Sequence, residues 1–191
     1  MLLLNKALAN MYAMDEMGKE STMTAYQDGQ SFPVEVFNEQ EFIAIDEKKI
    51  KFIGSKIISD AGYRSGRLGV VLVDNPTSRI SNREFLGHDY PTDVISFCIE
   101  HRDTHLEIEL VVSAEMAQIN SEDYDWDKES ELLLYVIHGT LHQVGYNDKT
   151  EHDSLLMRHM EAEYLRMLGI DVLESDEDNA DNESDLPEGE S

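Results

Sequence analysis

His138 and His142 stand four residues apart near the end of an apolar, helix-forming run from Glu129 to Val144. A helical turn takes about 3.6 residues, so both imidazoles project from one face, one above the other. That spacing lets the pair hold one metal ion. Gly145 follows, and glycine accepts the left-handed backbone with which helices commonly end. The chain can reverse there and bring a third ligand to the same ion. Asp148, ten residues after His138, offers a carboxylate oxygen, which is an acceptable zinc ligand. His152 is the rival third ligand, although its position places it on the following helix. Two imidazoles and one carboxylate suit zinc, one ion per chain, with a coordination position left for a water whose pKa the ion lowers. The residues alone do not choose among zinc, nickel and other metals.

The spacing H-x3-H-x2-G-x2-D resembles the metal helix of metzincin proteases, H-E-x-x-H-x-x-G-x-x-H. The protease general base is the Glu after the first His, and Gly139 occupies that position here. A peptidase built in the usual way would lack its proton acceptor.

The elements that must position these residues follow from periodicity. Phe32 to Phe37 reads as a first strand, and Asp46 to Asp60 as a helix burying Ile50, Ile53 and Ile57. Lys48, Lys49, Lys51 and Lys56 of that helix form a solvated face. Arg67 to Asp74 is apolar enough for a central strand. Asn75-Pro76 opens a short helix to Leu86, with Asn75 as cap and with Ile80 and Phe85 buried. Asp93 to Ile99 and Leu106 to Val112 are two more strands. In the second, Glu107 and Glu109 alternate with Ile108 and Leu110, which predicts a half-exposed or edge strand. Ser113 caps a short helix to about Asn120. The histidine helix is apolar on more than one face, so it is central and largely buried. Thr150 caps the last helix, with Asp153 in the capping-box position and with Leu156, Met160, Tyr164 and Met167 as the packing stripe. The expected fold is α/β (α+β), a small mixed sheet of about four strands with a central metal-binding helix.

The chain of 191 residues divides into a loosely ordered extension (1–30), a folded domain (31–170) and an acidic, disordered tail (171–191). Net charge is −25, and the tail alone holds ten acidic residues and no basic one. Such a balance disfavours nucleic-acid binding through a broad basic surface, but leaves room for a small cleft or for docking on a basic partner. The single cysteine, Cys98, excludes an internal disulfide and points to the cytoplasm; its strand predicts core packing. No stretch approaches the ~20 apolar residues of a membrane span, so no membrane role is expected.

The run His138 to Asp148, with Tyr90-Pro91-Thr92-Asp93-Val94-Ile95-Ser96-Phe97 upstream, resembles the YbeY family. The likeness covers about Phe32 to Gly169. It implies a bacterial ribosomal-RNA maturation factor: a metal-dependent, single-strand-specific endoribonuclease acting in 16S rRNA 3′-end maturation and ribosome quality control. His138 and His142 fall on the family's first two ligands. Asp148 falls on the third, which is usually His. Thr92, Asp93 and Ser96 are implied to line the cleft, while the catalytic base stays unassigned beyond a metal-bound water or the substrate's own 2′-hydroxyl. A family Arg thought to meet phosphate is Leu86 here, and Arg83, one helical turn earlier, is the candidate replacement. The family's Gly-Asp pair is Ile108-Glu109, and Gln143 replaces a usual Leu. The implied partners are single-stranded RNA and the small ribosomal subunit or its proteins; the oligomeric state is not readable. Two alternatives stand beside this reading: a metzincin-like metallopeptidase, and a non-catalytic ribosome assembly factor with a structural zinc.

Overall fold

A computed structural model describes residues 31–123 and 126–172. The expected extension (1–30) and all but the first two residues of the expected tail lie outside the described residues. Four strands form one mixed sheet in the order β1-β2-β4-β3: β1 (Val34–Asn38), β2 (Ser65–Val73), β3 (Val94–Arg102) and β4 (His105–Ser113). β1, β2 and β4 run parallel, while β3 pairs antiparallel with β4. Five helices complete the fold: α1 (Glu47–Asp60), α2 (Asn75–Leu86), α3 (Ala114–Asp123), α4 (Lys128–Gln143) and α5 (Glu151–Met167). The α/β expectation holds, with a four-stranded mixed sheet and α4 at its centre.

Successive strand residues point to opposite faces, and that alternation sorts the core. Leu68, Val70 and Leu72 of β2, with Leu106, Ile108, Leu110 and Val112 of β4, meet the buried isoleucines of α1 and the apolar side of α4. Leu132, Leu133, Val136, Ile137 and Leu141 of α4 are all at 0% exposure. Burying each contributes roughly 1.5–3 kcal/mol, so this helix is fixed by packing before any ligand is considered. On the opposite face, Val71, Val73, Ile95 and Val111 form a smaller cluster, with Phe37 and Phe97 against it.

Several local expectations are corrected. β4 is an interior strand, not an edge, and Glu109 is only 5% exposed. Its alternation with apolar residues misled because the second sheet face is itself covered at that point. Glu109 Oε1 has no hydrogen-bond partner among the described residues, and burial raises its pKa against the pull of Arg67. Cys98 is exposed rather than packed in the core, because β3 is the edge strand and a bulge between Cys98 and Glu100 interrupts its pairing. Asp74, not Asn75, caps α2: its carboxylate accepts from Thr77 N at 2.8 Å. Phe85 is 53% exposed and Ile80 only half-buried, since α2 buries small polar residues, Ser78, Ser81 and Asn82. On α5 the buried residues are Met157, Tyr164 and Leu165, while Leu156 and Met167 face solvent. The cap residues Ser113 and Thr150 stand as expected, accepting from Met116 N and Asp153 N. Of the four lysines of α1, Lys49, Lys51 and Lys56 are paired with Glu129, Glu47 and Asp60, which fits a solvated, neutralised face. No helix among the described residues is long and apolar enough to cross a membrane.

Candidate metal centre

α4 carries one polar stripe among its apolar residues. Glu131, Tyr135, His138 and His142 recur at four, three and four residues, which is one helical face. Beside the stripe lies Gly139, where the helix closes on the sheet. A Cβ built there would sit 2.9 Å from Val94 Cγ2 and 3.1 Å from Leu110 Cδ2. The position that holds the protease base in an H-E-x-x-H helix is therefore packed against β3 and β4 and has no room for a carboxylate.

Past Gln143 the helix ends in a left-handed turn at Gly145, φ 108°. Tyr146 N donates to Leu141 O and Gly145 N to His142 O, which together form a Schellman motif. This reversal carries Asp148 back over the histidines. His142 Nε2 lies 3.0 Å from His138 Nε2 and 3.7 Å from Asp148 Oδ2. One ligating atom from each of the three lies within 4.8 Å of the others. His152, exposed in the first turn of α5, is outside that group.

The outer nitrogens fix the tautomers. His142 Nδ1 is 3.0 Å from the Tyr146 carbonyl, which can only accept, so Nδ1 carries the proton. His138 Nδ1 is 2.6 Å from Glu161 Oε1, a carboxylate on α5. With both Nδ1 atoms donating outward, neutral rings present two Nε2 lone pairs to each other at 3.0 Å. A shared cation, either a proton making one ring a donor or a metal ion bound by both, resolves that opposition. Ligand atoms around a tetrahedral zinc with bonds of about 2.0–2.2 Å stand roughly 3.3–3.6 Å apart. The observed separations bracket that range, so these residues could hold a metal ion. The surroundings are electronegative as well. The Glu161 hydrogen bond raises the His138 pKa against the effect of burial, and the charges of Glu161, Asp93 and Asp148 add to it.

The upstream motif is built into the same wall. Asp93 Oδ1 accepts from Thr92 Oγ1 and from Val94 N, each at 2.8 Å. Ser78 on α2 donates to Thr92 O at 2.7 Å and accepts from Thr92 N at 3.1 Å. Ser96 lies on the strand face of Val94, paired in register with Leu110. Glu131 is 6% exposed, its pKa raised first by burial and then by the charge of Asp93, while a hydrogen bond from Tyr135 opposes the rise.

Arg83 reaches only to 3.7 Å from Asp89 Oδ1, and Leu86 is exposed. The stronger cation here is Arg79, which forks Asp89 through Nε and Nη2, both at 2.9 Å. Sequence reasoning passed over Arg79, although its i, i+4 spacing to Arg83 ahead of a lone Asp was a usable signal. It also missed Glu161, whose signal was a charged residue inside the stripe Met157, Glu161, Tyr164, Leu165, the buried side of α5.

Comparison with known proteins agrees with this construction. The family model described as Endoribonuclease YbeY matches residues 35–169. A Rhodopirellula baltica protein named Endoribonuclease YbeY is 43% identical over 127 residues, 65% of this chain and 66% of that protein. A Chlorobium phaeovibrioides protein of the same name is 34% identical, covering 70% of this chain and 90% of its own. Among solved structures, the solution structure of TM1509 from Thermotoga maritima superposes with a TM-score of 0.51 at 25% identity, covering 70% of this chain and 87% of that one. The chain belongs to the endoribonuclease YbeY family.

Proposed function

We propose that this chain is a zinc-dependent endoribonuclease that cuts single-stranded RNA, with ribosomal RNA of the small subunit as its substrate class. The observation that carries the reading is the opposed Nε2 pair of His138 and His142, with Asp148 beside it. In this reading those three side chains hold the ion. The Tyr146 carbonyl and Glu161 hold the two imidazoles in the tautomer that turns Nε2 inward. When bound, zinc supplies Lewis acidity toward a phosphoryl oxygen and makes a coordinated water acidic enough to react near neutral pH. Thr92 and the Val94 amide keep Asp93 oriented at the rim, where its negative charge faces the His138 side.

Packing at Gly139 speaks against the peptidase alternative, because the position of the missing base faces Val94 and Leu110 of the sheet. The assembly-factor alternative draws on the acidic balance, 40 Asp and Glu against 15 Lys and Arg, and on Leu86 at the family's arginine position. A single experiment separates the readings. Elemental analysis of the wild type, His142→Ala and Asp148→Ala is followed by digestion of single-stranded and duplex RNA, with chelator and then with zinc restored. Zinc lost in both variants, together with zinc-restored cleavage of the single strand, supports the proposal. Bound zinc without cleavage of any RNA would leave the assembly factor, and no zinc after reconstitution would remove the catalytic reading.

A further inference from the structure

An enzyme with 40 acidic and 15 basic residues cannot gain much RNA affinity from phosphate contacts alone. Single strands offer a second handle, the faces of their unpaired bases, which stack on aromatic side chains regardless of charge. The connection between α2 and β3 presents such side chains. His88 and Tyr90 lie with ring centroids 5.5 Å apart and planes 9° from parallel, and Tyr90 is 56% exposed. The intervening Asp89 is held by Arg79 and Arg83.

The connection is held in place by side chains from one helix. Asn82, 2% exposed, donates from Nδ2 to Tyr90 O at 2.9 Å. Ser78, 1% exposed, holds Thr92 at both its carbonyl and its amide. Arg79 forks Asp89. Buried polar residues of α2 thus fix the backbone at Tyr90 and Thr92, beside two rings left open to solvent. Three residues after Tyr90 comes Asp93, whose charge acts on His138. Asp93 is followed by Val94, whose side chain packs where a Cβ on Gly139, next to His138, would sit. Four residues of chain, at most about 14 Å, therefore separate Tyr90 from the point where the strand meets the helix of the candidate ligands.

Arg79 and Arg83 offset the charge of Asp89 between the rings, so a polyanion meets less repulsion here than on the acidic chain at large. We propose that His88 and Tyr90 form a stacking platform for an unpaired RNA base next to the scissile phosphodiester. This rests on the endoribonuclease reading and adds to it the reason for single-strand preference: a base locked in a duplex cannot lie on the rings.

The test uses the full chain loaded with zinc, a fluorescent single-stranded oligonucleotide, a same-length strand of abasic residues, and the variants Tyr90→Ala, Tyr90→Phe and His88→Ala. Both rings are exposed, so each variant should keep the wild-type circular dichroism. Tyr90→Ala is expected to weaken binding of the base-bearing strand by about 5- to 160-fold, the range for loss of one stacked base. Tyr90→Phe retains the affinity, the abasic strand binds wild type and Tyr90→Ala alike, and in cleavage the loss falls on KM. The salt dependence of wild-type binding should be shallow, since few phosphates are neutralised. If the wild type cleaves single-stranded RNA and both alanine variants bind and cleave with unchanged affinity and KM, the platform is overturned and the rings are left to a protein partner. If the wild type neither binds nor cleaves RNA with zinc present, the endoribonuclease reading fails, and the platform fails with it.

Discussion

Glu161 offers the sharpest perturbation of the candidate metal centre, because it acts from outside the three candidate ligands. Its Oε1 lies 2.6 Å from His138 Nδ1, and its side chain is 14% exposed. A charge-assisted bond of this kind fixes the tautomer and makes the opposite nitrogen a better donor. Loss of such a partner elsewhere lowers metal affinity by about 10- to 100-fold, equivalent to roughly 1.4–2.7 kcal/mol. The two ends of that range can be separated here. Glu161→Gln keeps an acceptor at Nδ1 but loses the charge, and it should fall near the lower figure. Glu161→Ala frees the ring to rotate and take the other tautomer, so it should fall near the upper one. A zinc competition titration against a chromogenic chelator reads both, with circular dichroism to verify the fold. Wild-type zinc affinity in a folded Glu161→Ala protein would refute the argument that the outer hydrogen bond orients His138.

Three further outcomes follow from the packing and the charges. His152→Ala should bind zinc as the wild type does while Asp148→Ala loses it, since only Asp148 joins the histidine pair; reversed results by elemental analysis would move the third ligand to α5. Gly139→Ala should be destabilised by about 1 kcal/mol in urea unfolding, because overpacking of about 1–3 kcal/mol outweighs the helix-propensity gain of about 1 kcal/mol. An unchanged midpoint would show that Val94 and Leu110 yield freely. Burial raises the pKa of Glu109 above 4.5, so the folded chain holds that proton more tightly than the unfolded one. Its contribution to stability is full below the ordinary value and is lost as pH rises through the raised one. Glu109→Gln should therefore melt higher than the wild type at about pH 7, with the gain shrinking toward about pH 4. A gain that is constant across that range would assign the effect to something other than the carboxylate charge.

The histidine helix and its close were legible because two signals coincided within eleven residues, a four-residue histidine spacing and a glycine stop. Asp148 followed from the same turn. The strands were legible where both faces are apolar, as in β2. They failed where one side chain contradicted its burial. Glu109 reads as solvent-facing, yet its strand is interior, and strand order is a long-range property that no local pattern carries. Cys98 failed for the complementary reason: an apolar strand at the edge of a sheet has the composition of a central one. Glu161 was beyond local reading in another way. Its partner lies 23 residues earlier on a different helix, and only the antiparallel return of the chain through the Gly145 turn brings the two together.

The bare Cα at Gly139 has a consequence for how this sequence can drift. A Cβ at Gly139 would meet Val94 and Leu110 together, so the sizes of these three side chains are linked. A larger residue at any of the three would push α4 outward or roll it, and His138, the residue just before Gly139, would turn with it. Three positions with no donor atom between them therefore bear on how closely α4, with the histidine pair on it, seats against the sheet. Among relatives they should vary as a set, a bulkier partner on one strand being matched by a smaller one on the other. The chemistry of this protein would then be inherited as much through three small hydrocarbon volumes as through its ligands.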